Sequence, residues 1–206
     1  MNWYYWFALG GLIVCLLAFS IHFVRLVRLG RPKDHSEPSG STTRGIVYSF
    51  TSGMNPLKKE SAFLHLPTYT AGIVLHLAIF MSLVVFMLLI AGVRPGPVAS
   101  FILGGGAFAG TLAGMALLVK RMASRKLRLI SNPDDYLSAF LVIAFLAFTG
   151  LVVFVPLLMP GYMLAAGILF LYMPLGKLKH VLYFFAARYH LGYFYGWRNV
   201  WPPPKA

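Results

Sequence analysis

The chain is poor in the residues on which most enzyme chemistry depends. Its 206 residues include one cysteine, Cys15, and five acids. A single thiol excludes an intrachain disulfide. It also excludes an iron–sulfur cluster held by this chain alone, which takes about four thiolates. Set within an apolar run, Cys15 reads as a small buried hydrophobe. None of the acids falls in the interior of an apolar run, which disfavours a proton-coupled transporter or pump. There is no P-loop, no GxGxxG fingerprint and no Ser-His-Asp arrangement in a fold that could hold one. No Lys or Arg precedes Arg25. The first apolar run therefore lacks the cationic lead of a secretory signal and reads as a retained transmembrane helix. No internal repeat is visible.

What is abundant is apolar surface. Hydrophobic residues make up 59% of the chain and charged residues 11%, with a mean hydropathy of +0.74. A soluble domain of this length cannot hide that much. Five spans can be drawn, at about 3–26, 69–93, 97–119, 135–157 and 161–187, each near or above the ~20 residues a helix needs to cross a bilayer. The net charge of +13 does not point to nucleic acid, because the Lys and Arg residues alternate between loops as topology signals do. Arg25, Arg28, Arg31, Lys33, Arg44, Lys58 and Lys59 follow span one, and only Arg94 lies between spans two and three. Lys120, Arg121, Arg125, Lys126 and Arg128 follow span three, none lies around 159–160, and Lys177, Lys179, Arg188, Arg198 and Lys205 end the chain. The fold expected is an all-α membrane protein, one domain over 1–206, with five transmembrane helices, the N-terminus outside and the C-terminus cytoplasmic. Trp3, Tyr4, Tyr5 and Trp6 anchor the outer interface.

Between the spans, the part 34–43 of the cytoplasmic loop (DHSEPSGSTT) reads as flexible. Residues 46–68 read as an amphipathic surface element separated from span two by Pro67. Gly106, Gly110 and Gly114 form a GxxxG repeat suited to close helix packing. In SNPDDY (131–136), Ser or Asn caps the fourth helix while Asp134 and Asp135 favour its N-terminal dipole. The WPPPKA end cannot be helical.

His76 and His180 stand out. Each lies about two turns inside the cytoplasmic end of a span, on antiparallel helices, so the two reach similar depth. An intramembrane histidine is costly unless its nitrogens are used. Two at one depth suit axial ligation of a haem iron, with a hydrogen bond to a neighbouring helix as the plainer alternative. His65 and His190 read as interfacial, with a second haem as the alternative. His22 reads as interfacial, or as lining a haem or quinone pocket, and His35 as solvated. Arg25, Arg28, Lys177 and Lys179 lie at the depth of haem propionates, and Tyr172, Phe80, Phe184 and Phe185 could pack on a porphyrin. For these residues, topology and generic packing are the plainer readings.

At MPLGKLKH (173–180) the chain resembles the membrane b-type cytochromes typified by the gamma subunit of respiratory nitrate reductase. The related haem b subunits of sulfate-reducer transmembrane redox complexes, such as the high-molecular-weight cytochrome complex, belong to the same family. The resemblance extends over about 60–190 and includes LHLAIF in span two, GGGAFAGTLAGMALLVKR (104–121), NPDDYLSAFLVIAFLAFTGL (132–151) and HVLYFFAARYHLG. It implies His180 and His76 as the axial ligands of haem iron. The family's second ligand pair corresponds to Phe86 and Tyr162 here, so the resemblance implies one haem b, on the cytoplasmic side.

The expectation is a membrane electron-transfer subunit of a respiratory complex in a prokaryotic cytoplasmic membrane. It passes electrons between a menaquinone-type pool and a partner. An iron–sulfur subunit on the cytoplasmic face is favoured, and a multihaem cytochrome c is the other candidate. His22, Ser82 and Tyr69 are the polar groups considered for a quinone. The alternative is a haem-free anchor or assembly subunit with the same topology.

Overall fold

The computed structural model describes residues 2–29, 35–55 and 64–203, and every regular element among them is helical. In chain order these are α1 (Trp3–Arg28), α2 (Thr42–Phe50), α3 (Leu66–Ile90), α4 (Pro97–Ala123), α5 (Arg125–Leu129), α6 (Pro133–Val152), α7 (Met159–Tyr172) and α8 (His180–Trp197). Four of them, α1, α3, α4 and α6, are long and apolar enough to cross a membrane. Large apolar side chains such as Leu17, Val84, Phe101, Leu112 and Phe140 stand exposed along them. Lipid solvates such a surface at no cost, and the helical backbone satisfies its own polar groups.

The fifth apolar run is not one continuous helix. α7 ends at Tyr172, and a single 3₁₀ turn at Lys177–Lys179 leads into α8. Pro174 cannot donate to the carbonyl one turn earlier and its ring crowds it, and Gly176 follows two residues later, so the helix yields there. His180 is thus the first residue of a new helix, rather than a residue two turns before the end of an old one. A second correction concerns Pro67. It lies in the first turn of α3, where its missing N–H is not needed. His65 therefore precedes the helix that carries His76.

The described residues group into two compact units, Met1–Ala18 with Pro67–Leu178, and Phe19–Leu66 with Lys179–Ala206. The core of the first unit is built from Val85, Phe86 and Leu89 of α3, Ala107 of α4, Phe145 and Leu146 of α6, and Tyr162, Met163, Ala166, Leu169 and Phe170 of α7. Apolar surface gains nothing by leaving lipid for protein, so packing contacts hold these helices together. Gly110 supplies the closest approach, since a methyl group there would collide with Ala78 of α3. Thr111 and Thr149 satisfy their buried hydroxyls by donating to the carbonyls of Ala107 and Phe145, one turn earlier.

In the second unit α2 lies against α8. Gly45 meets Gly192 and Gly196 so closely that a side chain on Gly45 or Gly192 would strike the facing backbone. Ser49 Oγ donates to the Arg188 carbonyl at 2.9 Å. The segment expected to be flexible is tied down in its described part. Ser39 and Gly40 N–H groups both donate to the Trp197 carbonyl at 3.0 Å, and Trp197 Nε1 donates to the Ser36 carbonyl at 3.0 Å. Trp201, at the start of the proline-rich end, packs its ring against Tyr48 and Tyr195. Of the expected surface element 46–68, the part up to Phe50 is α2, one 3₁₀ turn follows at Ser52–Met54, and residues 56–63 lie outside the described residues.

Candidate functional site

His76 lies on α3 in the first unit, in a helix with neither an acidic nor a basic residue at its ends. Its Nδ1 is 2.7 Å from the carbonyl oxygen of Gly72, one turn earlier. A carbonyl oxygen only accepts, so this contact assigns the proton to Nδ1 and the lone pair of the neutral ring to Nε2. Metal-ligating histidines show the same arrangement, in which a backbone acceptor fixes tautomer and ring orientation through the nitrogen that does not ligate. Gly72 adds a second feature. It shares His76's helix face, and a side chain built there would meet open space.

His180 opens α8 in the second unit, with Lys179 at the cap position and an exposed side chain. Three residues earlier, Lys177 is committed to Asp135, whose carboxylate also meets Arg121 at 3.3 Å. Asp135 belongs to the first turn of α6, inside the helix rather than before it, and its side chain is 3% exposed. It completes a reciprocal cap with Asn132. The Asn132 side chain accepts from the Asp135 N–H at 3.1 Å, and the Asn132 N–H donates to the Asp135 carboxylate at 3.0 Å. One buried carboxylate thus joins the end of α4, the start of α6 and the turn after α7. The sequence signal was the NPDDY cap, which revealed the helix start and not the two cations.

The other expected positions are dispersed. His65 is exposed in the turn before α3, His35 is exposed, and His190 is exposed on α8 with its ring 5.7 Å from that of Tyr189. His22 faces Tyr183, with Nδ1 and Oη 3.5 Å apart. Among the proposed aromatics, Tyr172 meets Ser138 through its hydroxyl at 3.3 Å, Phe185 stacks on Phe50, Phe184 receives Arg188 over its ring, and Phe80 is exposed. Tyr69 is half-buried near the start of α3. Ser82 is buried on α3, and its hydroxyl has no hydrogen-bond partner among the described residues.

Phe86 and Tyr162 are both fully buried, with ring centroids 6.4 Å apart. Tyr162 stacks on Phe145 at 5.8 Å, and Phe170 meets Phe86 edge-on at 5.0 Å. Four rings from α3, α6 and α7 therefore fill this level of the first unit.

No three His, Cys, Asp or Glu side chains among the described residues converge on one point. A bare ion would lack the three or four protein ligands it takes. Comparison of the chain with family models, characterised proteins and solved structures finds no match.

Proposed function

We propose that the chain is a membrane electron-transfer subunit that carries one haem b with His76 and His180 as axial ligands. In this reading the protein spans a prokaryotic cytoplasmic membrane with its N-terminus outside and its C-terminus in the cytoplasm. It links a quinone pool, menaquinone by preference, to an iron–sulfur or cytochrome partner in a hetero-oligomeric respiratory complex. The observation that carries the reading is the 2.7 Å bond from His76 Nδ1 to the Gly72 carbonyl within an apolar helix, because a proton on Nδ1 puts the ring's lone pair on Nε2, the nitrogen that would ligate.

A bound haem would supply one-electron reduction and reoxidation at its iron. The chain's own contribution is to orient, bury and select. His76 is held in one tautomer by its helix, and Gly72 leaves room on the same face. The break at Pro174 and Gly176 allows His180 to begin a new helix. The ring cluster of Phe86, Phe145, Tyr162 and Phe170 occupies the second level with side chains, which supports one haem rather than two. Electrons must leave the chain to a partner, since its single thiol cannot hold a second centre. The basic residues that alternate with the apolar helices support the orientation.

The test is haem quantification on the purified protein with a reduced-minus-oxidised spectrum. One b-type haem per chain is expected. A folded protein with none would leave the haem-free anchor reading in its place.

A further inference from the structure

The second unit contains a cationic cavity that the proposed electron transfer does not use. Its volume is ≈ 550 Å³, and it is lined by His22, Arg25, Leu26 and Arg28 of α1, by Leu29 just after that helix and by Tyr183 of α8. The His22 and Tyr183 rings meet edge-on with centroids 6.3 Å apart. Arg25 and Arg28 are three residues apart, so their guanidinium groups are neighbours on the last turn of the helix. No carboxylate among the described residues pairs with either. The contrast is a cleft lined by Ser131, Asn132, Pro133, Tyr136, Leu137 and Phe140, which carries no charged side chain.

The helix surface beside the cavity changes character along its length. Ile21 and Val24 are 55% and 45% exposed, and with Arg28 they fall at one helical spacing, on one face. An apolar strip therefore runs toward the C-terminal end of α1 and ends in two arginines. A ligand that matches this surface has an apolar body and a compact anionic head. Guanidinium groups bind phosphate oxygens through paired hydrogen bonds, and the Tyr183 hydroxyl adds a neutral donor and acceptor beside them.

We infer that this cavity binds the phosphate of an anionic phospholipid, with the acyl chains lying along Ile21 and Val24. The inference rests on α1 crossing the bilayer and is independent of haem. Basic residues at the membrane surface attract anionic lipid at about 1 kcal/mol each, and the open depression between α1 and α8 gives that general attraction a place to act.

The experiment is native mass spectrometry of the full-length protein in detergent, titrated with phosphatidylglycerol and with phosphatidylcholine of the same acyl chains. Phosphatidylglycerol is expected to be retained at least about tenfold more strongly. Arg25→Gln/Arg28→Gln should remove that preference, Tyr183→Phe should weaken it, and Arg125→Gln/Lys126→Gln should leave it intact. If the double variant fails to fold, Arg28→Gln alone carries the test. Equal retention of the two lipids by the natural sequence, or a preference that survives loss of both arginines, overturns the inference. Displacement of phosphatidylglycerol by an equal concentration of inorganic phosphate also overturns it, by showing a site for free phosphate. Haem content measured on the same samples separates the two proposals. Haem lost with the arginines while lipid preference stays would assign them to propionates and overturn the lipid site, whereas absence of haem from all samples would leave it standing.

Discussion

Phe86 and Tyr162 lie ring to ring in the interior of the first unit, 6.4 Å apart between centroids and both closed to the surroundings. The contact explains why this level of the bundle is solid. It also buries the Tyr162 hydroxyl, whose neighbouring polar side chain is Thr149 of α6.

Removing a ring should therefore cost far more than removing the hydroxyl. Phe86→Ala is expected to destabilise by about 3–5 kcal/mol through cavity formation. Tyr162→Phe deletes only the hydroxyl and its contact with Thr149, and should cost no more than about 0.5–1.5 kcal/mol. Thermal unfolding of the two variants in one detergent checks the pair. A larger loss for Tyr162→Phe than for Phe86→Ala would contradict this order.

Asp135 is buried between Arg121 and Lys177, whose side chains are 36% and 55% exposed. Both cations retain partial hydration when the carboxylate is neutralised, which screens the loss. Asp135→Asn is expected to cost about 1–3 kcal/mol, below the value for a fully buried pair. Asp134→Asn should cost less, since Asp134 forms no ion pair among the described residues. A thermal shift no larger for Asp135 than for Asp134 would contradict the role given to the buried carboxylate.

Helix α2 is held to α8 by backbone contact across Gly45, Gly192 and Gly196. Gly45→Val should drive the helices apart. Protease cleavage within 35–55 is then expected to rise at least about tenfold, the population shift that ~1.4 kcal/mol of lost docking produces. Unchanged cleavage would mean that the segment is held by other contacts.

Gly72 is a position at which the proposed haem binding can be tested apart from folding. It sits mid-helix with open space beside it, so Gly72→Leu relieves a glycine penalty of about 0.5–1 kcal/mol and the protein should fold at least as well. Its side chain would project over the face used by His76. Haem content is expected to fall several-fold while thermal stability of the haem-free protein holds or rises. Full haem retention would place the porphyrin away from Gly72.

The sequence was most informative where one helix could be judged by itself. The apolar runs of α1, α3, α4 and α6 are long enough to define spans without knowledge of their neighbours, and Asn132 and Asp135 announce a helix start through local spacing. Contacts between distant segments were harder to see. Gly192 and Gly196 carry the same four-residue glycine spacing as Gly106 and Gly110, but only the docking of a helix some 150 residues earlier in the chain gives it meaning. Lys177 read as one more cytoplasmic cation because its partner, Asp135, is 42 residues away. The break before His180 was legible in Pro174 and Gly176, yet the apolar run across it resembled one span. Of the candidate site, His76 and its helix were foreseeable. The bond to the Gly72 carbonyl was not, because ring orientation within a helix leaves no mark on composition.

The central claim is tested most directly by the reduced-minus-oxidised spectrum and haem content of the purified natural protein, His76→Ala and His180→Ala. One b-type haem per chain in the natural protein, lost in both variants with the helical fold intact, is the predicted result. A haem that survives either replacement, or a folded natural protein without haem, contradicts the account.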